Sequence, residues 1–370
     1  MPTLHELAEL GQSVWLDTLS RAMLNSGELQ SLIGQGVRGV TANPTILDKA
    51  ISGSDDYDAD IRQMAQSGTT LENMYVGLVL ADIARAADMF RPLFQATGGA
   101  DGYVSLEVNP HLAHDTSGTI AEVRRLFSTL NRPNIFIKVP ATPEGIPAIE
   151  QLISEGININ VTLMFSLAQY DAVAEAYLNG LERLLAANGD LRTVASVASF
   201  FVSRIDTAVD KQLSAIGKTE LLGRIAVANA KMAYARFRVV FSSPRWQRLA
   251  EQGAQLQRPL WASTGTKNPR YSDTLYVDQL IGPYTVNTMP LETIRAFQDH
   301  GSVVVRVDQH VDQAEFQLSR LAQLGIDLDQ ITRQLTEDGV ALFSQSYDHL
   351  MENLAEKSRR FGGEQQRHAA

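Results

Sequence analysis

The chain has no cysteine in 370 residues. Disulfides, thiolate catalysis and cysteine-based zinc sites are therefore excluded. Positive charge is also in short supply: 32 Lys and Arg stand against 42 Asp and Glu, a net charge of −10. That balance argues against a nucleic-acid surface. It leaves a small anionic substrate open, because local cations decide that binding. No apolar run reaches the roughly 18 residues of a membrane span. Residues 1–11 are polar and acidic and lack the basic and apolar regions of a secretory signal, which suits a cytoplasmic protein. There is no Gly-rich phosphate turn after an early strand, as an open dinucleotide-binding sheet would want. Repeats and low-complexity segments are absent too.

What is present is a soluble, globular composition, 44% hydrophobic and 20% charged. Length alone suggests two domains, but α/β barrels often use this many residues as one. Short apolar or β-branched runs occur near 13–17, 38–42, 103–109, 134–139, 157–163, 193–199, 258–264 and 284–288. Helical patterns fill the gaps, at 70–94, 117–130, 145–154, 167–187 and 219–241. Eight strands separated by helices predict a (β/α)8 TIM barrel over 1–310. Additional helices are expected between strands two and three, within 44–100, and at the C-terminus. There, over 311–357, Leu328, Ile331, Leu335, Phe343, Leu350 and Leu354 recur at helical spacing, which predicts two helices packed on the barrel. The polar stretch 358–370 reads as a flexible, frayed end.

Lys138 interrupts the apolar run Ile135-Phe136-Ile137-Lys138-Val139-Pro140. Side chains alternate faces along a strand, so Phe136 and Lys138 share one face and Ile135, Ile137 and Val139 the other. Burial among apolar neighbours disfavours the charged form of a lysine. A Schiff-base amine is made nucleophilic near neutral pH in this way. A lysine snorkelling from a strand end is the plainer alternative.

Other polar residues gather at the C-terminal ends of predicted strands, where barrel chemistry sits. Asp17 ends the first strand, Asn43 follows the second, and Glu107 lies near the end of the third. Asn160 and Thr162 belong to the fifth and Ser199 to the sixth. Ser105, Glu107 and Asn109 alternate with Val104, Leu106 and Val108, and the fifth strand repeats the pattern. The apolar face should meet the helices and the polar face turn inward. A buried polar group without a partner costs on the order of 1–3 kcal/mol, so the inward groups need each other or a polar ligand. Singly, Asn43 could be a turn residue, Asp17 a helix cap, and Ser199 and Thr162 partners of the backbone. His111 and His114 have metal-like spacing, but no carboxylate cluster accompanies them and solvent-facing loop positions explain them better.

Taken together, these segments resemble the transaldolase family of class I, Schiff-base-forming aldolases. The matching stretches are Gly39-Val40-Thr41-Ala42-Asn43-Pro44-Thr45, Ser105-Leu106-Glu107-Val108 and Ile135 to Thr142. Ile159 to Ser166 and Ser199-Phe200-Phe201-Val202-Ser203-Arg204-Ile205-Asp206 complete the set, in family order. The resemblance implies transfer of a dihydroxyacetone unit, without metal or other cofactor, in the non-oxidative pentose phosphate pathway. The donor would be fructose 6-phosphate or sedoheptulose 7-phosphate, and the acceptor glyceraldehyde 3-phosphate or erythrose 4-phosphate. Lys138 would be the nucleophile, Asp17 the base and acid at the C4 hydroxyl, and Glu107 with Thr162 the holders of a water. Asn43, Asn160 and Ser199 would bind substrate hydroxyls, and Arg204 the phosphate. Where many members carry Ala-Ser-Phe-Arg, this chain reads Ala262-Ser263-Thr264-Gly265-Thr266-Lys267. Ser263 aligns, and Lys267 is the expected substitute for the second phosphate cation.

Two alternatives accompany this reading. A fructose 6-phosphate aldolase on the same scaffold would release free dihydroxyacetone. That branch tends to carry Gln at the position of Glu107 and Tyr at that of Phe201, so both residues here favour transfer. An inert, sugar-phosphate-binding barrel would be expected to have lost Lys138 or Asp17. A homo-oligomer is compatible with the sequence; nucleic-acid and membrane partners are not expected.

Overall fold

The computed structural model describes residues 1–368, with side chains through Gly362. Eight parallel strands close a barrel in chain order. They are β1 (Gln12–Leu16), β2 (Gly39–Thr41), β3 (Tyr103–Glu107) and β4 (Ile135–Pro140). The rest are β5 (Ile159–Met164), β6 (Ser196–Phe201), β7 (Arg258–Ala262) and β8 (Thr285–Met289). Pairing of β1 with β8 completes the ring. Each expected strand exists, shifted by at most three residues at either end.

Large side chains fill the lower half of the barrel. Trp15, Tyr103 and Phe136 stack inside it, with Tyr103 and Phe136 centroids 4.3 Å apart and Trp15 and Phe136 5.9 Å apart. Gly39 pairs with Trp15 across β1 and β2, and a Cβ there would lie 2.6 Å from the indole. Only glycine lets the tryptophan fill this layer. Below the rings, Arg258 donates to the Ser13 hydroxyl at 2.7 Å and to Asp101 at 3.2 Å, and Arg38 adds a second cation to Asp101. The N-terminal end is thus plugged, and access is from the C-terminal end.

Three helices, Pro44–Ser52, Asp58–Gln66 and Leu71–Ala96, lie between β2 and β3, as the long gap suggested. After β8 the chain forms Leu291–His300, then Val311–Gln323, and then a 41-residue helix, Leu328–His368. Ile331, Val340, Phe343, Tyr347, Leu350, Leu354 and Phe361 form its buried stripe. That stripe crosses the barrel mouth. Gly339 packs against the Leu163 side chain, Thr45 and Ser346 share a 2.8 Å hydrogen bond, and His349 contacts Asp48 at 2.8 Å.

The expected frayed end does not hold over its first residues. Phe361 falls seven positions after Leu354, keeps the stripe in phase and is buried, with the Arg62 guanidinium over its ring. The helical backbone continues to His368, and residues 369–370 lie outside those described.

Helix Ser203–Ala215, which follows β6, is anchored through a buried carboxylate. Asp206 accepts from the Ala226 N–H at 2.8 Å and from the Tyr276 hydroxyl at 3.0 Å. Burial pushes its pKa up to about 7. The folded value is raised, so the folded protein holds this proton after the unfolded chain has released it. Stability is then complete below pH about 4 and falls as pH rises to about 7. The loss at the plateau is on the order of 4 kcal/mol for a shift of that size. Asparagine can accept from Ala226 and donate to Tyr276 without ionising. Asp206→Asn is therefore expected to be more stable than the parent by about 2–4 kcal/mol at pH 8, with the gain vanishing near pH 4. Denaturant unfolding at the two pH values measures this, and a gain independent of pH would contradict it.

Candidate active site

Strand register brings the reactive groups together. Glu107 of β3, Lys138 of β4 and Asn160 of β5 are successive lateral partners. All have inward parity, one layer above the aromatic plug. The Lys138 ammonium donates to Glu107 Oε2 at 2.9 Å and reaches the Ala42 carbonyl at 3.4 Å. Both side chains are buried, 5% and 3% exposed, so the pair is out of solvent. The surroundings of Lys138 are thus not wholly apolar, as its own strand suggested, because the neighbouring strand supplies a carboxylate. Desolvation raises the pKa of Glu107, and Lys138 opposes that rise. A raised carboxyl is a better proton acceptor, which favours handing over the ammonium proton when a ligand arrives.

Asp17 follows β1 and lines the same cavity as Lys138. Burial raises its pKa, while a hydrogen bond from Thr41 and the charges of Lys138 and Lys267 hold it down. The Thr41 hydroxyl donates to Asp17 Oδ1 at 2.7 Å and lies 2.6 Å from the Thr288 hydroxyl. Thr41 has one proton to give, so Thr288 is the donor in the second contact.

Thr162 Oγ1 is buried and has no hydrogen-bond partner among the described residues. Such a group invites a ligand or a water. The next residue, Leu163, has φ 54, and the β5–β6 register shifts between Val161 and Met164. This bulge sits at the rim, where bulges re-aim side chains. On the neighbouring strands, Ser199 Oγ donates to Asn160 Oδ1 at 2.6 Å, and Asn160 Nδ2 donates to Ser105 Oγ at 3.1 Å.

A cavity of about 190 Å³ joins most of these groups. Asp17, Asn43, Lys138, Thr162, Ser199, Phe201, Arg204, Ser263 and Lys267 line it, as the sequence suggested. Glu107 reaches it through Lys138. Asn160 does not line it, although it is the lateral partner of Lys138: its amide is engaged with two serines. Asn43 also caps a helix, its Oδ1 accepting from Ile46 N at 3.0 Å, a local role different from the turn its sequence suggested. Sequence reasoning missed Thr41, Thr288, Leu342 and Phe343 as lining residues. The two threonines share inward parity with their strands' other interior residues, a signal that was available. Phe343 comes from the C-terminal helix, its ring 5.9 Å from Lys138 Nζ, and no local pattern announces that.

Two cations stand at the mouth. Arg204, in the first turn of its helix, lies 5.6 Å from the Phe201 ring, and its pKa is lowered by burial. Lys267 lies in the connection after β7. Among the described residues, neither makes a hydrogen bond or an ion pair. Ser263 takes a left-handed φ of 56, with its hydroxyl 2.9 Å from that of Ser203. His111 and His114 lie elsewhere, facing Asp348 at 2.8 Å and Glu144 at 3.2 Å.

The arrangement combines an amine with an adjacent carboxyl, a second carboxyl across the cavity, an unpaired hydroxyl and two free cations at the entrance. It is suited to forming an imine with an anionic carbonyl compound and moving protons around it. Comparison with known proteins agrees. A family model described as Transaldolase/Fructose-6-phosphate aldolase matches residues 14–354. A protein named Transaldolase from Acidothermus cellulolyticus is 50% identical over 353 residues, covering 94% of each chain. Transaldolases of Thermobifida fusca and Thiobacillus denitrificans are each 48% identical, over 96% and 94% of this chain and 98% of their own. This chain belongs to the transaldolase/fructose-6-phosphate aldolase family.

Proposed function

We propose that the protein is an enzyme that transfers a dihydroxyacetone unit from a ketose phosphate to an aldose phosphate, with Lys138 as the Schiff-base residue. The free amine adds to the ketone carbon, C2. Glu107, with a water held between it and the Thr162 hydroxyl, supplies and removes the protons of carbinolamine formation and dehydration. The iminium then acts as an electron sink. Asp17 takes the C4 hydroxyl proton, the C3–C4 bond breaks, its electrons enter the enamine, and the aldose phosphate leaves. The enamine carbon attacks the second aldehyde, and Asp17 returns its proton to the new hydroxyl. Hydrolysis of the imine frees the product and Lys138.

Asn43 and Ser199 would hydrogen-bond the retained three-carbon unit, and Asn160 would orient Ser199 through their shared hydrogen bond. Arg204 and Lys267 are the cations for phosphate, the first a planar fork and the second a point charge. Phosphorylated sugars do not cross a bilayer unaided, so we place the activity in the cytoplasm. No described helix is long and apolar enough to span a membrane.

The observation that carries this reading is the buried Lys138–Glu107 pair at 2.9 Å beside an unpartnered Thr162 hydroxyl. Fructose 6-phosphate with erythrose 4-phosphate should give sedoheptulose 7-phosphate and glyceraldehyde 3-phosphate. Fructose 6-phosphate alone should give no steady stream of dihydroxyacetone. Sustained release of dihydroxyacetone would favour the aldolase alternative, and no turnover of either kind would leave only binding. Phe201 supports transfer over release, because a phenyl ring next to Arg204 cannot orient water as a phenol could.

A further inference from the structure

Arg204 and Lys267 come from different parts of the chain, and the distance between them has to be fixed. Arg204 stands in the first turn of helix Ser203–Ala215. Lys267 stands in residues 263–274, which form no helix or strand. A cation on a loose loop would lose conformational freedom on meeting a ligand. This connection is tied down, and its ties lead back to the helix that carries Arg204. The Tyr271 hydroxyl donates to Asp210 Oδ2 at 2.6 Å and the Tyr276 hydroxyl to Asp206 Oδ2 at 3.0 Å. Asp210 Oδ1 accepts from Gly223 N at 3.0 Å. The Tyr271 ring packs on Gly223 so closely that a Cβ there would lie 2.8 Å from it. At the near end of the connection, Ser203 N donates to the Ser263 carbonyl at 3.1 Å.

The same contacts engage both acidic residues of this helix. Asp206 and Asp210 stand two and six positions after Arg204, off its face of the helix. Their oxygens accept from neutral donors: Ala226 N, Tyr276, Gly223 N and Tyr271. Arg204, Lys211 and Lys267 remain without ion pairs among the described residues, and all three line a cleft of about 1020 Å³ contiguous with the catalytic cavity. Asp338 of the C-terminal helix lines the same cleft and is the carboxylate that acts most on Arg204.

We propose that Tyr271, acting through Asp210, is a positioning residue for the phosphate end of the substrate: it ties the connection that carries Lys267 to the helix that carries Arg204. This rests on the reading of Arg204 and Lys267 as phosphate cations, and the experiment separates the two. Transfer kinetics are measured with glyceraldehyde 3-phosphate and with unphosphorylated glyceraldehyde as acceptor. Arg204→Ala and Lys267→Ala test the underlying reading, by raising KM for the phosphorylated acceptor alone. Tyr271→Phe then raises that same KM by about fivefold to tenfold, the scale of one lost hydrogen bond, with kcat little changed. Asp210→Ala reproduces the effect. Asp210→Asn largely restores normal KM, since its amide can still accept from Gly223 N and can donate to the Tyr271 oxygen. If Lys267→Ala shows phosphate dependence and Tyr271→Phe does not, or if Tyr271→Phe weakens both acceptors alike, the positioning role is wrong. If neither Arg204→Ala nor Lys267→Ala distinguishes the acceptors, the phosphate reading falls and the positioning role with it.

Discussion

Lys138→Ala is expected to abolish turnover while leaving the barrel folded. Among the described residues the side chain is the only amine in the cavity apart from Lys267 at its rim, and the mechanism has no substitute for a covalent bond to the ketone. Removing a covalent nucleophile commonly costs on the order of 10⁶ in rate. The cost to the fold is set by what happens to Glu107. Alanine leaves that carboxyl buried without its cation, and an uncompensated buried charge is costly. The pKa of Glu107 is already raised by burial, and losing Lys138 removes the opposing influence. Glu107 can therefore become neutral by taking a proton, which limits the damage. Activity should vanish with circular dichroism and melting behaviour largely kept. In the parent protein, borohydride with fructose 6-phosphate should leave a reduced three-carbon adduct on the peptide containing Lys138. An adduct on Lys267 or any other lysine would overturn the assignment.

Much of this site was legible because barrel strands impose two simple rules. Alternation along β4 put Lys138 on a face with Phe136, and the same alternation put Glu107 with Ser105 and Asp17 with Trp15. Those residues do point inward. Parity does not report access, however. Asn160 has the right face and is the lateral partner of Lys138, yet it does not line the cavity, because Ser105 and Ser199 hold its amide. Lateral pairing of Glu107 with Lys138 is likewise a matter of register, which separate strands do not disclose.

The remaining gaps have long-range causes. Phe343 reads locally as one more apolar residue of an amphipathic helix, and its place over Lys138 depends on where a 41-residue helix docks. The end of that helix was misread because Glu356-Lys357-Ser358-Arg359-Arg360 is polar and Gly362-Gly363 are poor helix formers. Lys357 in fact reaches Asp58 at 2.7 Å, and Phe361 buries one heptad beyond Leu354. The tyrosine–aspartate contacts behind Lys267 join residues about sixty apart in sequence, and nothing in either segment alone predicts them.

Asp17→Asn should separate imine formation from carbon–carbon cleavage. Asp17 and Glu107 occupy the same ring but have different partners: Glu107 faces the amine, while Asp17 faces Thr41, which is backed by Thr288. If their roles follow their partners, asparagine at this position leaves the chemistry of Lys138 and Glu107 in place and removes the base for the C4 hydroxyl. Loss of one general base costs about 10²–10⁴ in kcat. The substitution is close to isosteric, and the new amide oxygen can still accept from Thr41, so geometry should survive. The decisive readout is the mass of the trapped adduct. Borohydride should fix the whole six-carbon sugar phosphate on Lys138 of the variant, whereas the parent yields the three-carbon fragment. A three-carbon adduct formed at the parent rate would assign the proton transfer to another group. Loss of all adduct would show that Asp17 acts earlier, when the imine is made. Burial raises the pKa of Asp17, so the parent's kcat should fall on acidification once that carboxyl is protonated, at a pH above the ordinary aspartate range. An amide has no such titration, and the residual activity of the Asp17→Asn variant should lose that limb of the profile.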